Sequence, residues 1–157
     1  MTRTIEEILK TVSIRDVLPP RFDPVEPATS LGDAIRLLDE QGRGALVVCE
    51  ARRVVGIFTE RDVLRDIAGN EVDLATPVSR FMTKDPTCIG SAARLAEAIS
   101  TMIEGGYRNL PLVDESGDEE GMLSSLDVVQ FVADHYSKFV KNLPPRLHQR
   151  MTAAEGG

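Results

Sequence analysis

Two stretches of the chain present the same chemical groups in the same order. Gly56-Ile57-Phe58-Thr59-Glu60-Arg61-Asp62 returns as Gly121-Met122-Leu123-Ser124-Ser125-Leu126-Asp127: a glycine, two apolar residues, a hydroxyl, two variable positions and an aspartate. An ionised carboxylate only accepts hydrogen bonds, so Asp62 and Asp127 each suit a pair of donor hydroxyls, the arrangement that a ribose 2′,3′-diol offers. Thr59 and Ser124 carry hydroxyls that can donate to a phosphate oxygen. A strand-to-helix junction adds unpaired N–H groups and the positive end of the helix dipole. Gly56 and Gly121, three positions ahead of each hydroxyl, permit close backbone approach.

The competing reading of Ser/Thr-x-x-Asp is a capping box that stabilises a helix and does nothing else. The pattern is common, and Ser13…Asp16, Ser30…Asp33 and Thr101…Glu104 also satisfy it. Two features set the pair apart. Each box follows a Gly-apolar-apolar strand, and the two recur at one fixed displacement. A cap also leaves N–H donors over for an anion. Polar groups repeated together with core positions point to a duplicated binding site.

The elements that must hold these groups repeat as well. Thr4 to Lys10 reads as a short helix with Thr4…Glu7 as its capping box, and Pro19-Pro20 ends any continuation. Phe22 to Glu26 is extended. Leu31, Ala34, Ile35 and Leu38 predict a helix from Ser30 to about Gln41, stopped by Gly42 and Gly44. Ala45 to Cys49 and Val54 to Phe58 read as a hairpin, and Thr59 to about Ala68 as the next helix, closed by Gly69. The second copy follows suit. Thr87 to Ile89 is extended, and Ala92 to Glu104 is helical up to Gly105-Gly106. Leu110 to Val113 and Gly121 to Leu123 are strands around the acidic loop Asp114 to Glu120, and a last helix runs from Ser125 to about Lys141.

The expected fold is therefore α/β (α+β), with two pseudo-symmetric half-domains, each a small three-stranded sheet with two helices. The expected boundaries are an N-terminal helix over 1–11, a first repeat over 12–70, a second over 76–141 and an irregular basic tail over 142–157. The tail holds Arg146 and Arg150 against Glu155 and begins with Pro144-Pro145.

Composition narrows the function. At 157 residues and 42% apolar, with mixed charge, the chain reads as an ordinary globule. A net charge of −7 has the wrong sign for a phosphate-backbone binder, and 4% aromatics without Trp offer few base-stacking platforms, so no nucleic-acid partner is expected. Cys49 and Cys88 have no CxxC companion and read as reduced thiols, with no metal expected. Glu6 and Glu7 interrupt the first apolar stretch, so no signal peptide is expected, and no run has the length of a membrane span. The expected location is cytoplasmic. His135 and His148 pair with no nucleophile and no P-loop or Gly-rich fingerprint is present, so catalysis is not expected.

The duplicated Gly-apolar-apolar-Ser/Thr-x-x-Asp, each copy after an apolar strand, resembles the cystathionine-β-synthase (CBS) domain, and two in tandem resemble a Bateman module. The resemblance runs from about Val12 to Tyr136 and includes Arg108-Asn109-Leu110-Pro111-Leu112-Val113 ahead of the second motif. It implies a non-catalytic regulatory module that binds an adenosine-containing ligand (AMP, ADP or ATP, with S-adenosylmethionine and NADH as further members of the class) between the repeats. It further implies that Asp62 and Asp127 hold ribose, that Thr59 and Ser124 contact phosphate or ribose, and that adenine lies against Pro24-Val25 and Cys88-Ile89. Arg43 and Arg108 read as corresponding positions, and Arg61 becomes Leu126 in the second motif. Arg108 is the better anion contact. The resemblance also implies a homodimer associating through the helices after each motif, and a regulated protein partner. The competing reading is a dimeric adaptor that works without ligand.

Overall fold

The computed structural model describes residues 3–17 and 23–141, with side chains as far as residue 136. The Pro19-Pro20 break, Phe22 and the tail over 142–157 lie outside the described residues. Helix α1 (Ile5–Thr11) starts on the expected capping box: Thr4 Oγ1 accepts from Glu7 N, and Glu7 Oε2 accepts from Thr4 N. A 3-10 turn, Ile14–Val17, follows. The first half then runs α2 (Leu31–Gln41), β1 (Ala45–Glu50), β2 (Arg53–Thr59) and α3 (Glu60–Asp62). A short edge strand β3 (Thr83–Lys84), which hydrophobic patterning does not reveal, pairs antiparallel with β2. The second half runs β4 (Ile89–Gly90), α4 (Leu95–Gly105), β5 (Asn109–Val113), β6 (Glu119–Ser124) and α5 (Ser125–Lys141).

Two three-stranded sheets result, ordered β1-β2-β3 and β4-β5-β6. Both are built on an antiparallel hairpin with an extended segment laid parallel on its first strand. Val25 bridges Val48 in one half, and Ile89 pairs with Leu112 in the other. With Val25 alongside, β1 is an interior strand, and its residues are buried on both faces, which is why Ala45 to Cys49 reads as an unbroken apolar run. Helices α2 and α4 pack an apolar stripe on their sheets, with Leu31, Ala34 and Leu38 answering Leu95, Ala98 and Met102. Each stripe ends at a left-handed glycine, Gly42 (φ 60) and Gly106 (φ 67). α4 starts three residues later than its pattern suggests, because Ser91 to Arg94 form a turn and no side chain caps Leu95.

Chain order and spatial order differ. Ile14 is fully buried in the core of the second half, among Leu95, Leu110, Leu112 and Leu123, while Val78 is fully buried in the first, beside Leu31, Val48 and Phe58. Backbone bonds fix both crossings. Ile14 N donates to Ala93 O at 2.9 Å and Leu95 N to Val12 O at 2.9 Å. In the other half Val78 N donates to Thr29 O at 2.7 Å and Leu31 N to Thr76 O at 2.9 Å. The segment leading into each repeat therefore completes the opposite half. Arg15 and buried Ser91 both bond Glu120, adding side-chain ties to the first of these crossings.

The helix after the first motif is only partly α-helical. Past Asp62 it widens into a π turn over Val63–Ile67, with Ala68 N donating to Val63 O at 2.7 Å. The wider turn carries Ile67 into the core and brings Arg65 back over Asp62.

Candidate functional site

Both motifs form the junction that their sequence specifies. In the first, Thr59 caps α3: Asp62 N donates to Thr59 Oγ1 at 3.3 Å, and Asp62 Oδ2 accepts from Thr59 N at 2.8 Å and from Thr59 Oγ1 at 3.0 Å. In the second, Asp127 N donates to Ser124 Oγ at 3.2 Å and Asp127 Oδ2 accepts from Ser124 N at 2.7 Å. Capping is therefore real, and it leaves one carboxylate oxygen, Oδ1, pointing away from each cap. The three other Ser/Thr-x-x-acid patterns serve local structure. Ser13 N and Oγ close on Asp16, Ser30 caps α2, and Thr101 bonds back to Glu97 O inside α4.

What occupies Oδ1 differs between the copies. Arg43, from the first half, reaches across to the second motif and grips Asp127 with both terminal nitrogens: Nη1 to Oδ1 at 2.9 Å, Nη2 to Oδ2 at 2.8 Å. Nη2 also donates to Met122 O at 3.2 Å. The two side chains are only 15% and 13% exposed. A bidentate, largely desolvated pair of this kind is strong and costly to leave half-made. Asp62 Oδ1 accepts a single bond, from Arg65 Nη2 at 3.0 Å, and that arginine is 59% exposed. Arg65 is also held by Asp66, whose carboxyl it pulls below the usual range. Only the arginine end of the Arg65–Asp62 pair is open to solvent; the Asp62 side chain is 4% exposed. Asp62 itself is buried beneath the arginine.

A cleft of about 580 Å³ lies between the halves, within the usual size of small-molecule sites. Thr59, Arg61, Asp62 and Arg65 line it from the first half; Tyr107, Arg108 and Ser124 line it from the second. The connecting segment closes it with Asp85, Pro86 and Thr87, and Thr87 Oγ1 bonds the Tyr107 hydroxyl at 3.1 Å. Arg61 and Arg108 are exposed, and their guanidinium groups have no hydrogen-bond or ion-pair partner among the described residues. Two such cations facing one cleft from opposite sides suit a polyvalent anion.

Gly56, Gly121, Val25, Cys88, Ile89 and Asp127 are not part of that lining. Val25 and Ile89 are buried in their sheets, 7% and 8% exposed. Cys88 is half-buried, its Sγ lies 3.4 Å from Pro86 O, and burial pushes its thiol pKa up, so it is protonated near neutral pH. Among the described residues no cluster of His, Cys, Asp or Glu is placed to hold a metal ion, and no helix is long and apolar enough to cross a membrane.

The pairing register corrects one sequence correspondence. Ala45 pairs with Thr59, and Asn109 with Ser124. The residue equivalent to Arg43 is therefore Tyr107, directly after the capping glycine in each half, and Arg108 matches Gly44. Counting back from the aspartates goes wrong by one because the second hairpin is a residue longer. Val113 pairs with Glu119 across the Asp114–Asp118 turn, whereas Cys49 pairs with Val54. The matched capping glycines, Gly42 and Gly106, were the signal that could have shown it. The connecting segment at Asp85 to Thr87, absent from the sequence-based set, carries no motif to mark it.

Comparison with known proteins agrees with the fold. The family model for the CBS domain matches residues 9–69 and 78–134. An uncharacterised 17.7 kDa protein of Acidianus ambivalens is 32% identical over 119 residues, covering 74% of this chain and 71% of that one. An inosine-5′-monophosphate dehydrogenase of Korarchaeum cryptofilum is 36% identical over 115 residues, and there the match spans 73% of this chain but only 22% of the enzyme. Among solved structures, CBSX2 in complex with AMP superposes with a TM-score of 0.68 at 27% identity, covering 78% of this chain and 97% of that one.

The two motif glycines are required for different reasons, and this is testable. A Cβ on Gly56 would collide with the Met82 side chain, whereas Gly121 has open space but a φ of 136 that L-residues avoid. Each Gly→Ala change is expected to cost about 1–3 kcal/mol in urea denaturation. Adding Met82→Ala should recover part of the loss at Gly56 and none at Gly121.

Proposed function

The chain belongs to the CBS-domain family, and on that premise we propose that it is a cytoplasmic, non-catalytic regulatory module that binds an AMP-like nucleotide in the cleft between its halves. One observation carries the reading: a diol-compatible carboxylate, Asp62, shares the cleft with two guanidinium groups, Arg61 and Arg108, contributed from opposite halves and unpartnered among the described residues. Ribose hydroxyls donate to Asp62 Oδ1 when Arg65 swings aside, and the phosphate lies between the two arginines. A phosphorylated adenosine suits this charge better than S-adenosylmethionine, whose sulfonium is a cation. The AMP complex of CBSX2, at 27% identity, supports the ligand class. Because the phosphate contacts come from both halves, binding favours one relative orientation of them, and that difference in affinity is what would transmit a signal to a regulated protein.

A specific observation also favours self-association. Leu64, on the π turn, and Val129, on α5, occupy equivalent places in the two copies and are 73% and 62% exposed; Leu126 and Tyr136 extend the α5 face at 75% and 56%. An apolar stripe on the two helices that follow the motifs fits a homodimer, and by itself it also fits the ligand-free adaptor.

Nucleotide binding separates these readings. AMP at about 100 times its dissociation constant should add roughly 2.7 kcal/mol of stability. The melting temperature should then rise about 5–10 °C, at roughly 2–4 °C per kcal/mol. Arg61→Ala with Arg108→Ala should shrink the shift with AMP and leave that with adenosine unchanged. No shift with any adenine nucleotide would favour the adaptor. For the dimer, light scattering at micromolar concentration should give twice the 17.2 kDa chain mass, falling to one chain in Leu64→Glu/Val129→Glu. A monomeric parent would remove the idea.

A further inference from the structure

We infer that Arg43 closes the second motif to ligand, so that the chain takes one nucleotide, at Asp62, and none at Asp127. The inference rests on the nucleotide reading above and deepens it by assigning the site. A ribose diol needs a carboxylate oxygen that can accept two hydroxyl donors. At Asp127 both oxygens are already engaged: Oδ1 by Arg43 Nη1, and Oδ2 by Arg43 Nη2 together with the Ser124 amide. The guanidinium presents two parallel donors where the diol would present its own, and Met122 O fixes its angle. Displacing it would strand a largely buried carboxylate and a largely buried cation.

The equivalent position in the other half explains why only one motif is closed. Tyr107 follows its capping glycine just as Arg43 follows Gly42. Tyr107 has no cation to offer Asp62, and its hydroxyl is bonded to Thr87 on the cleft wall instead. Among the described residues the side chain bonded to Asp62 Oδ1 is Arg65, a surface residue that also makes three bonds to Asp66. One motif thus carries its own competitor for ribose, and the other carries a displaceable lid.

Isothermal titration of the intact chain with AMP tests this. The parent should bind one equivalent per chain. Asp62→Asn should weaken binding at least tenfold, whereas Asp127→Asn, if its melting curve shows it folded, should still bind one equivalent. Arg43→Gln, if its melting curve shows it folded, should gain a second equivalent. Two equivalents in the parent, or loss of binding in Asp127→Asn with retention in Asp62→Asn, would overturn the assignment while leaving the nucleotide reading intact. An absence of heat with AMP, ADP and ATP alike would overturn both.

Discussion

The bidentate pair between Arg43 and Asp127 is the interaction on which the joining of the two halves at their motifs depends. It joins a residue just past the first helix stripe to the aspartate of the second motif, so a single contact links α2, β1, β6 and α5. Its burial makes it directional as well as strong. A guanidinium gripped on one edge by a carboxylate and on the other by Met122 O cannot rotate away without leaving charge uncompensated. Arg43 and Gly44 also form part of the wall of the neighbouring cleft.

The crossing of the leader segments gives the pair something rigid to join. Ile14 fills the second core and Val78 the first, so neither half has a complete core without chain contributed from the other side of the repeat boundary. The hairpin tips add a further tie. Glu119 N donates to Arg52 O at 2.9 Å, while Arg52 and Arg53 flank Asp118. Ala51 and Arg52 hold positive φ at this contact, a strained turn for non-glycine residues that the opposite hairpin supports. Two halves fastened at the leaders and at the hairpin tips frame the cleft between the motifs.

Much of this was legible because duplication made weak signals repeat. Thr59…Asp62 alone is an ordinary cap, and the structure confirms that it caps; its recurrence as Ser124…Asp127 is what singled it out. The helix stripes and hairpins followed from periods that burial enforces. Three things were not legible. β3 is a two-residue edge strand with both residues exposed, so no hydrophobic alternation marks it. The crossing of Ile14 and Val78 leaves no trace in a pattern that reports only what is buried, not against what. The match of Arg43 with Tyr107 was hidden by the single extra residue in the second hairpin, which moved Arg108 into false correspondence. The consequence is chemical, because it turns an apparent pair of equivalent arginines into one that bridges the halves and one that faces an open cleft.

Arg43 and Asp127 couple the two halves, and a double-mutant cycle measures that coupling directly. Arg43→Ala, Asp127→Ala and the double variant are compared with the parent by urea denaturation, and the cycle cancels the loss of the Ser124…Asp127 cap. The expected result is a stabilising coupling of about 1–3 kcal/mol. Additive effects, within about 0.5 kcal/mol, would contradict it.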